Sequence, residues 1–129
     1  MKTSDLTTPA LIADSKILET NIATMASKRP GRELRPHVKA FKSTAMAKKL
    51  VDAGHETFCC ATIRELEGMV KAGFGSDLLL ANETLDAKRI GELLVEGNCR
   101  ITVAVDSLET IDAAVFAGVK EVLIDVNVG

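Results

Sequence analysis

The chain has 129 residues, of which 47% are hydrophobic and 26% charged, as is typical of one soluble globular domain. Sixteen Lys and Arg balance 18 Asp and Glu, and Trp and Tyr are absent, so neither the basic surface nor the stacking rings of a nucleic-acid-binding protein are present. No apolar run approaches the roughly 20 residues of a membrane span and no secretory signal opens the chain, which predicts a cytoplasmic protein.

Short apolar runs rich in branched residues alternate with segments of helical spacing. Apolar residues recur three and four positions apart in the first helical segment, at Leu18, Ile22 and Met25. Apolar runs without polar alternation are typical of parallel strands covered on both faces, so the alternation predicts an α/β fold. The predicted strands are 10–13, 33–39, 57–61, 78–81, 101–105 and 122–126.

The ends of the predicted helices carry recognisable signals. Thr62 and Glu65 have the T-x-x-E spacing of a capping box, in which each side chain accepts a backbone N–H of the other residue. Gly54, Gly73 and Gly118 each follow an alanine where a helix should stop, a position that favours glycine because the backbone there is often left-handed. Strand, cap, helix and glycine therefore form a repeating module.

The repeat has a regular period. The polar residues that close successive strands are Lys39, Thr62, Asn82, Asp106 and Asn127, with spacings of 23, 20, 24 and 21 residues. This period resembles the (β/α) repeat of a TIM-type barrel. A complete barrel needs eight strands and about 250 residues. About six strands therefore predict a partial (β/α)8 barrel, truncated before it closes.

The same period is also compatible with an open, doubly wound sheet. A dinucleotide-binding sheet of this kind would carry G-x-G-x-x-G directly after an early strand. The near match Gly73-Phe74-Gly75 follows a predicted helix instead. The barrel is therefore favoured.

The predicted strand 33–39 carries an unusual concentration of charge. In extended geometry Arg35, His37 and Lys39 point to one face. If helices cover the other face, these groups project into the barrel, where an anionic or reactive partner would be needed. The alternative is a solvated edge strand, which Pro36 favours. Lys39 lies where the strand ends, the position from which active-site residues of barrels project.

The three cysteines and His55 show no pattern typical of a functional site. Cys59, Cys60 and Cys99 lack the C-x-x-C spacing of a zinc or redox site and are predicted to be reduced core residues. His55 follows a helix-ending glycine and is predicted to be a solvated loop residue, not a ligand.

A family resemblance covers nearly the whole chain. The most specific segment is Leu34-Arg35-Pro36-His37-Val38-Lys39-Ala40, and weaker matches in the same order are 8–14, 18–26, 60–67, 79–83, 105–107 and 125–129. Together they resemble the D-threonine aldolase and D-serine dehydratase family of pyridoxal-phosphate enzymes, which have the alanine racemase fold, fold type III.

The resemblance implies roles for individual residues. Lys39 would form the Schiff base with pyridoxal 5′-phosphate at the end of the first barrel strand. His37, Thr62, Asn82 and Asn127 would line the cofactor pocket, although Thr62 and Asn82 can also be plain structural residues at the start of a loop or helix. Any divalent metal would be held by residues outside this chain, and no metal ligand is expected within it.

The resemblance also implies the organisation of the protein. Residues 1–129 would be a partial N-terminal barrel domain, with 1–31 as a strand and helix lead-in whose strand belongs to a companion C-terminal β-domain. That β-domain is absent from this chain, and the 129 residues alone are expected to be inactive. The full-length protein is expected to be a homodimer.

Several activities are compatible with such a site. The favoured one is aldol cleavage of a β-hydroxy-D-amino acid, for example D-threonine to glycine and acetaldehyde. D-Serine dehydratase and amino-acid racemase are the alternatives within the enzyme class. Outside it, the chain would be a pyridoxal-phosphate-binding homeostasis protein or an inactive remnant.

Overall fold

The computed structural model describes residues 2–129 and confirms an α/β fold built on one parallel sheet. Its strands are β1 (Phe58–Cys60), β2 (Leu78–Leu80), β3 (Ile101–Val105) and β4 (Glu121–Ile124). They lie side by side in chain order, β1-β2-β3-β4, and every neighbouring pair is parallel. Sequential order of parallel strands is the arrangement of a barrel wall, because each crossover adds the next strand on the same side.

Helices connect the strands and precede the sheet. They are α1 (Ser15–Lys28), α2 (Thr44–Asp52), α3 (Ile63–Lys71), α4 (Ala87–Glu96) and α5 (Leu108–Phe116). Short 3-10 turns occupy Thr3–Asp5, Gly31–Glu33 and Val38–Ala40. Within residues 2–129, none of the helices combines the length and the apolar character that crossing a bilayer requires.

The core lies between the sheet and the helices that cover one of its faces. Phe58, Leu78 and Val103 come from successive strands and are at most 2% exposed. Leu66 of α3 and Ile90 of α4 pack against them and are equally buried. β1, β2 and β3 are apolar runs removed from water, whereas all four residues of β4 are exposed.

The helix ends follow the sequence signals with one difference. Thr62 caps α3 by accepting the N–H of Glu65 at 3.2 Å, as predicted. The carboxylate of Glu65 accepts the N–H of Ala61 at 2.8 Å instead of the N–H of Thr62, so the reciprocal half of the capping box is not formed. Gly73 and Gly118 have φ of 82° and 80°, the left-handed conformation expected after a helix.

Two predicted strands do not form in the described residues. The segment 10–13 is extended chain outside the sheet, and Leu11 and Ile12 are exposed. A strand needs a neighbour for its N–H and C=O groups, and none of residues 2–129 pairs with this segment. The segment 33–39 is reduced to one parallel bridge between His37 and Cys59.

The prediction for His55 was wrong. This residue is completely buried, and its Nδ1 lies 3.2 Å from the carbonyl oxygen of Gly31. The contact joins two loops 24 residues apart, which a local pattern does not reveal. The cysteines are free, as predicted, with Cys59 and Cys60 buried and Cys99 partly buried.

An ionic cluster lies at the amino-terminal end of the sheet. Asp77, directly before β2, has a side chain only 3% exposed. Arg35 lies 2.8 Å from one of its oxygens, Arg100 lies 3.2 Å from the other, and Arg32 also pairs with it. Arg35 further donates to the carbonyl oxygens of Phe58 and Asp77. Arg35 is therefore a structural residue at this end of the sheet.

Candidate active site

The carboxyl ends of the four strands meet at one edge of the sheet. Thr62, Asn82, Asp106 and Asn127 follow β1, β2, β3 and β4 within three residues, and all four are exposed. Their common location is a consequence of parallel pairing, which places every strand end on the same side. This is the edge at which (β/α) barrels hold their active sites.

Lys39 joins this edge through the segment before α2. The bridge between His37 and Cys59 aligns the segment parallel to β1. Directly afterwards the chain turns, and Lys39 lies exposed in the 3-10 turn Val38–Ala40. The N–H of Lys42 closes the turn on the carbonyl oxygen of Val38 at 2.7 Å. The amine of Lys39 forms no salt bridge with a described residue.

The strand order sets how far the predicted site residues lie from Lys39. Neighbouring strands are about 5 Å apart, so Thr62 is one strand spacing away and Asn82 about 10 Å. Asn127 follows the fourth strand and is therefore the most distant of these residues in strand order. The structure therefore groups Lys39, His37, Thr62 and Asn82 at one end of the edge, and leaves Asn127 at the other.

The side chains of the predicted pocket residues differ in how much of their bonding capacity is used. The Thr62 oxygen accepts the helix-capping N–H of Glu65 but keeps its own hydroxyl hydrogen to donate. Asn82 is exposed and forms no side-chain hydrogen bond with a described residue. The Asn127 side-chain oxygen accepts the N–H of Gly129 at 3.0 Å. Each of the three side chains therefore keeps a donor for a ligand, since the amide NH2 of Asn127 is also unused by a described residue.

His37 supports the turn that carries Lys39. Its Nδ1 accepts the backbone N–H of Lys39 at 3.3 Å, which requires an unprotonated Nδ1. Partial burial, and then the positive charge of Lys39, hold the pKa of His37 below its ordinary value of 6.5, while Glu65 opposes the shift. The neutral imidazole is therefore the form that this structure stabilises near neutral pH.

The lowered pKa of His37 predicts a pH-dependent turn. The unfolded chain binds the proton more readily, so this contribution to stability is complete above pH 6.5 and is lost as the pH falls through the lowered pKa. We expect the Lys39 amide NMR signal to titrate together with the His37 ring. In His37→Asn, whose side-chain oxygen can accept the same N–H without titrating, the Lys39 amide should not respond. A Lys39 signal that titrates equally in both proteins would contradict this role.

The sequence interpretation missed the placement of Glu65. Its side chain is only 10% exposed, and its Oε1 lies 3.7 Å from Nζ of Lys42, at the base of the turn that carries Lys39. The available signal was the capping-box spacing itself, which places a carboxylate one turn into the helix after a strand end. The structure directs this carboxylate toward the strand end and the neighbouring turn.

The nearby thiols are unsuited to nucleophilic chemistry. Burial, assisted by the charge of Glu65, raises the pKa of Cys60 to about 12. Burial also raises the pKa of Cys59. Both thiols stay protonated at neutral pH, and the thiolate is the reactive form. Among the described residues at this edge, the exposed amine of Lys39 is the group suited to attack on a carbonyl.

Two cavities flank the edge. One of about 400 Å³ lies on the helix side of the Lys39 turn and is lined in part by Lys42, Thr62 and Glu65. Another of about 310 Å³ lies along β2, β3 and β4 and is lined in part by Ala81 and Asp125. Both volumes are at the lower end of the range for small-molecule sites. Lys39 lines neither cavity.

The donor set of this edge fits pyridoxal phosphate, the cofactor implied by the resemblance. Its aldehyde needs a primary amine free of a carboxylate partner, and within residues 2–129 the amine of Lys39 has none. Its oxygens need hydrogen-bond donors, which the hydroxyl of Thr62 and the amide of Asn82 can provide. Residues 2–129 contain no cluster of three or more His, Cys, Asp or Glu arranged to hold a metal ion.

Known proteins share the sequence and the fold of this chain. Residues 13–129 match the family model "Alanine racemase, N-terminal domain". A 3-hydroxy-D-aspartate aldolase of Paracoccus denitrificans is 33% identical over 116 residues, covering 86% of this chain and 30% of the relative. The crystal structure of D-threonine aldolase from Filomicrobium marinum superposes with a TM-score of 0.81 at 34% identity, covering 98% of this chain and 36% of the other.

A further solved structure extends the set of relatives. A mutant of D-threo-3-hydroxyaspartate dehydratase superposes with a TM-score of 0.77 at 30% identity, covering 95% of this chain and 33% of the other. The chain thus spans about a third of the length of the relatives it matches. Because the family model accounts for nearly all of its residues, the chain belongs to the alanine racemase N-terminal domain family.

Proposed function

We propose that the intact protein is a pyridoxal-phosphate-dependent enzyme that cleaves a β-hydroxy-D-amino acid to glycine and an aldehyde, with D-threonine as the favoured substrate. The observation that carries the proposal is the exposed Lys39 at the carboxyl edge of a parallel sheet, where its amine pairs with no acidic group of residues 2–129. The names of the relatives, D-threonine aldolase and 3-hydroxy-D-aspartate aldolase, support the reaction class.

Each residue has a distinct proposed task. Lys39 carries the cofactor covalently and exchanges protons with the substrate. His37 holds the turn by accepting the backbone N–H of Lys39 at its Nδ1, and it is also proposed to line the cofactor pocket. Thr62, Asn82 and Asn127 are proposed to contact the cofactor, with Thr62 and Asn82 nearest. Bound pyridoxal phosphate supplies the electron sink that stabilises negative charge on the substrate α-carbon.

The proposal extends to the rest of the protein. Residues 1–129 are proposed to be a partial barrel domain with a lead-in at 1–31, completed by a C-terminal β-domain. A divalent metal, if the enzyme uses one, is proposed to be held by residues outside this chain. The intact enzyme is proposed to act in the cytoplasm as a homodimer, and residues 1–129 alone are proposed to be inactive.

The decisive experiment locates the cofactor attachment. Purified intact protein is incubated with pyridoxal phosphate, reduced with borohydride, and digested for peptide mapping. We expect an absorbance band of a lysine-bound cofactor and a single label on Lys39. Lys39→Ala should lose the band and the label, whereas Lys71→Ala, which removes an exposed lysine of α3 away from the edge, should keep both. Labels scattered over surface lysines, with none favoured, would refute the proposal.

A second candidate is dehydration of a hydroxy-D-amino acid, favoured by the structural similarity to D-threo-3-hydroxyaspartate dehydratase. Product analysis separates the two activities. Aldol cleavage releases glycine and an aldehyde, while dehydration releases ammonia and a keto acid. A protein that binds the cofactor on Lys39 and releases neither set of products from any hydroxy-D-amino acid would instead be a cofactor-binding protein.

A further inference from the structure

Glu65 is a buried carboxylate with an incomplete set of partners. Its side chain is 10% exposed. Its Oε2 accepts the N–H of Ala61, the residue that directly follows β1, at 2.8 Å. Its Oε1 is buried and accepts no hydrogen bond from a described residue. Burial of a carboxylate is costly unless a nearby cation compensates its charge.

That cation is Lys42, which belongs to the turn carrying Lys39. Its Nζ lies 3.7 Å from Oε1 of Glu65. Its backbone has φ of +44°, a left-handed conformation that is uncommon for lysine. Its N–H closes the turn on the carbonyl oxygen of Val38. One residue therefore closes the turn with its backbone and reaches the buried carboxylate with its side chain.

Ordinary helix capping does not explain this arrangement. A capping carboxylate would accept the N–H of Thr62, the cap residue, whereas Glu65 accepts the N–H of Ala61 in the strand end. The carboxylate thereby connects three elements: α3, the end of β1 and the turn before α2. Its charge also opposes the lowering of the pKa of His37, whose main cause is burial, followed by Lys39.

We propose that Glu65 is a positioning residue that fixes the turn 38–42 through Lys42 and so sets where the amine of Lys39 stands at the sheet edge. This role rests on the proposed function of Lys39. It assigns Glu65 no contact with substrate or cofactor. The consequence is that loss of the carboxylate charge loosens the turn even when the hydrogen bond to Ala61 is kept.

The test compares Glu65→Gln with Glu67→Gln in the intact protein. Glutamine keeps an acceptor for the Ala61 N–H but removes the charge that faces Lys42. Glu67 lies on the same helix and pairs with Arg89 at 2.6 Å, so its replacement removes a comparable charge away from the turn. We expect hydrogen exchange at the Lys42 amide to become about tenfold faster in Glu65→Gln and to stay unchanged in Glu67→Gln.

Labelling of Lys39 by pyridoxal phosphate and borohydride supplies the functional readout. Its rate should fall about tenfold in Glu65→Gln, since a misplacement of 1 Å can cost a reacting group about a hundredfold. Lys42→Met is expected to have the same effect on the labelling rate, and its thermal unfolding midpoint is measured beside it, because this variant leaves the Glu65 carboxylate without its cation. The double variant should be no slower than either single variant, because both remove one interaction.

The outcomes separate this role from the proposed function. Absence of Lys39 labelling in the wild-type protein would refute the function of Lys39, while exchange at the Lys42 amide would still decide whether Glu65 fixes the turn. Normal labelling in the wild type with unchanged exchange in Glu65→Gln would refute the positioning role alone. Additive effects of the Glu65 and Lys42 substitutions, or equal effects of Glu67→Gln, would also overturn it.

Discussion

Replacement of Lys39 by alanine is expected to reduce turnover of a β-hydroxy-D-amino acid by about a hundredfold to ten-thousandfold. This is the range for loss of a group that transfers protons. The substitution also removes the amine that we propose attaches the cofactor. Because Lys39 is exposed and lies in a short turn, its loss should leave the fold intact. Release of glycine and aldehyde measures turnover, and the thermal unfolding midpoint checks the fold.

Lys39→Arg distinguishes the positive charge of the lysine side chain from its ability to act as a neutral nucleophile. Arginine keeps the positive charge, but its guanidinium stays protonated in proteins and cannot act as a neutral nucleophile. We expect Lys39→Arg to be as inactive as Lys39→Ala, whereas the control Lys71→Ala stays fully active. Substantial activity in Lys39→Arg would show that the residue contributes only charge, and the proposed covalent attachment would then be wrong.

The sheet could be predicted from the sequence because its signals are local. The apolar runs at 57–61, 78–81, 101–105 and 122–126 each contain most or all of an observed strand. Their apolar, branched composition identifies them without knowledge of their neighbours, and this holds even for β4, whose residues are exposed. The polar residues that end them gave the period, and parallel pairing then gathered those residues at one edge.

The strand predicted at 33–39 failed for an identifiable reason. Pro36 has no N–H, so it offers the sheet only its carbonyl oxygen, which accepts from Cys59 at 2.9 Å. After His37 the chain turns into Val38–Ala40 and pairing ends. The alternating pattern was real, but it described a single bridge and a turn. Lys39 nevertheless lies at the sheet edge, because the bridge to Cys59 is enough to align the segment.

Side-chain partners distant in sequence could not be predicted. Arg35 was expected to share a face with Lys39, but it binds Asp77, which lies 42 residues later at the other end of the sheet. The burial of His55 depends on the carbonyl oxygen of Gly31, 24 residues earlier. Glu65 had the correct helix position, yet its partner Lys42 precedes it by 23 residues. Local periodicity contains no information on such pairs.

Replacement of Asp77 by asparagine is expected to destabilise the protein by about 1–3 kcal/mol, the range for loss of hydrogen bonds to a charged group, because the arginines left behind are 32–59% exposed and can be solvated. The Asp77 side chain is 3% exposed and faces Arg32, Arg35 and Arg100. Asparagine has nearly the same shape, so the loss would come from charge and hydrogen bonding. Arg35 would be affected most, because it is the least exposed of the three arginines.

The matched control for Asp77→Asn is Asp52→Asn. Asp52 pairs with Lys48 at 2.7 Å, but both side chains are at least 60% exposed, so its replacement should cost less than about 1 kcal/mol. Urea unfolding of the intact protein measures both variants. Equal, small shifts of the two midpoints would show that the cluster at Asp77 does not stabilise the sheet. A large loss of stability confined to Asp77→Asn would show that the amino end of the sheet contributes to stability. In (β/α) barrels this end stabilises the fold, while the carboxyl end holds the active site.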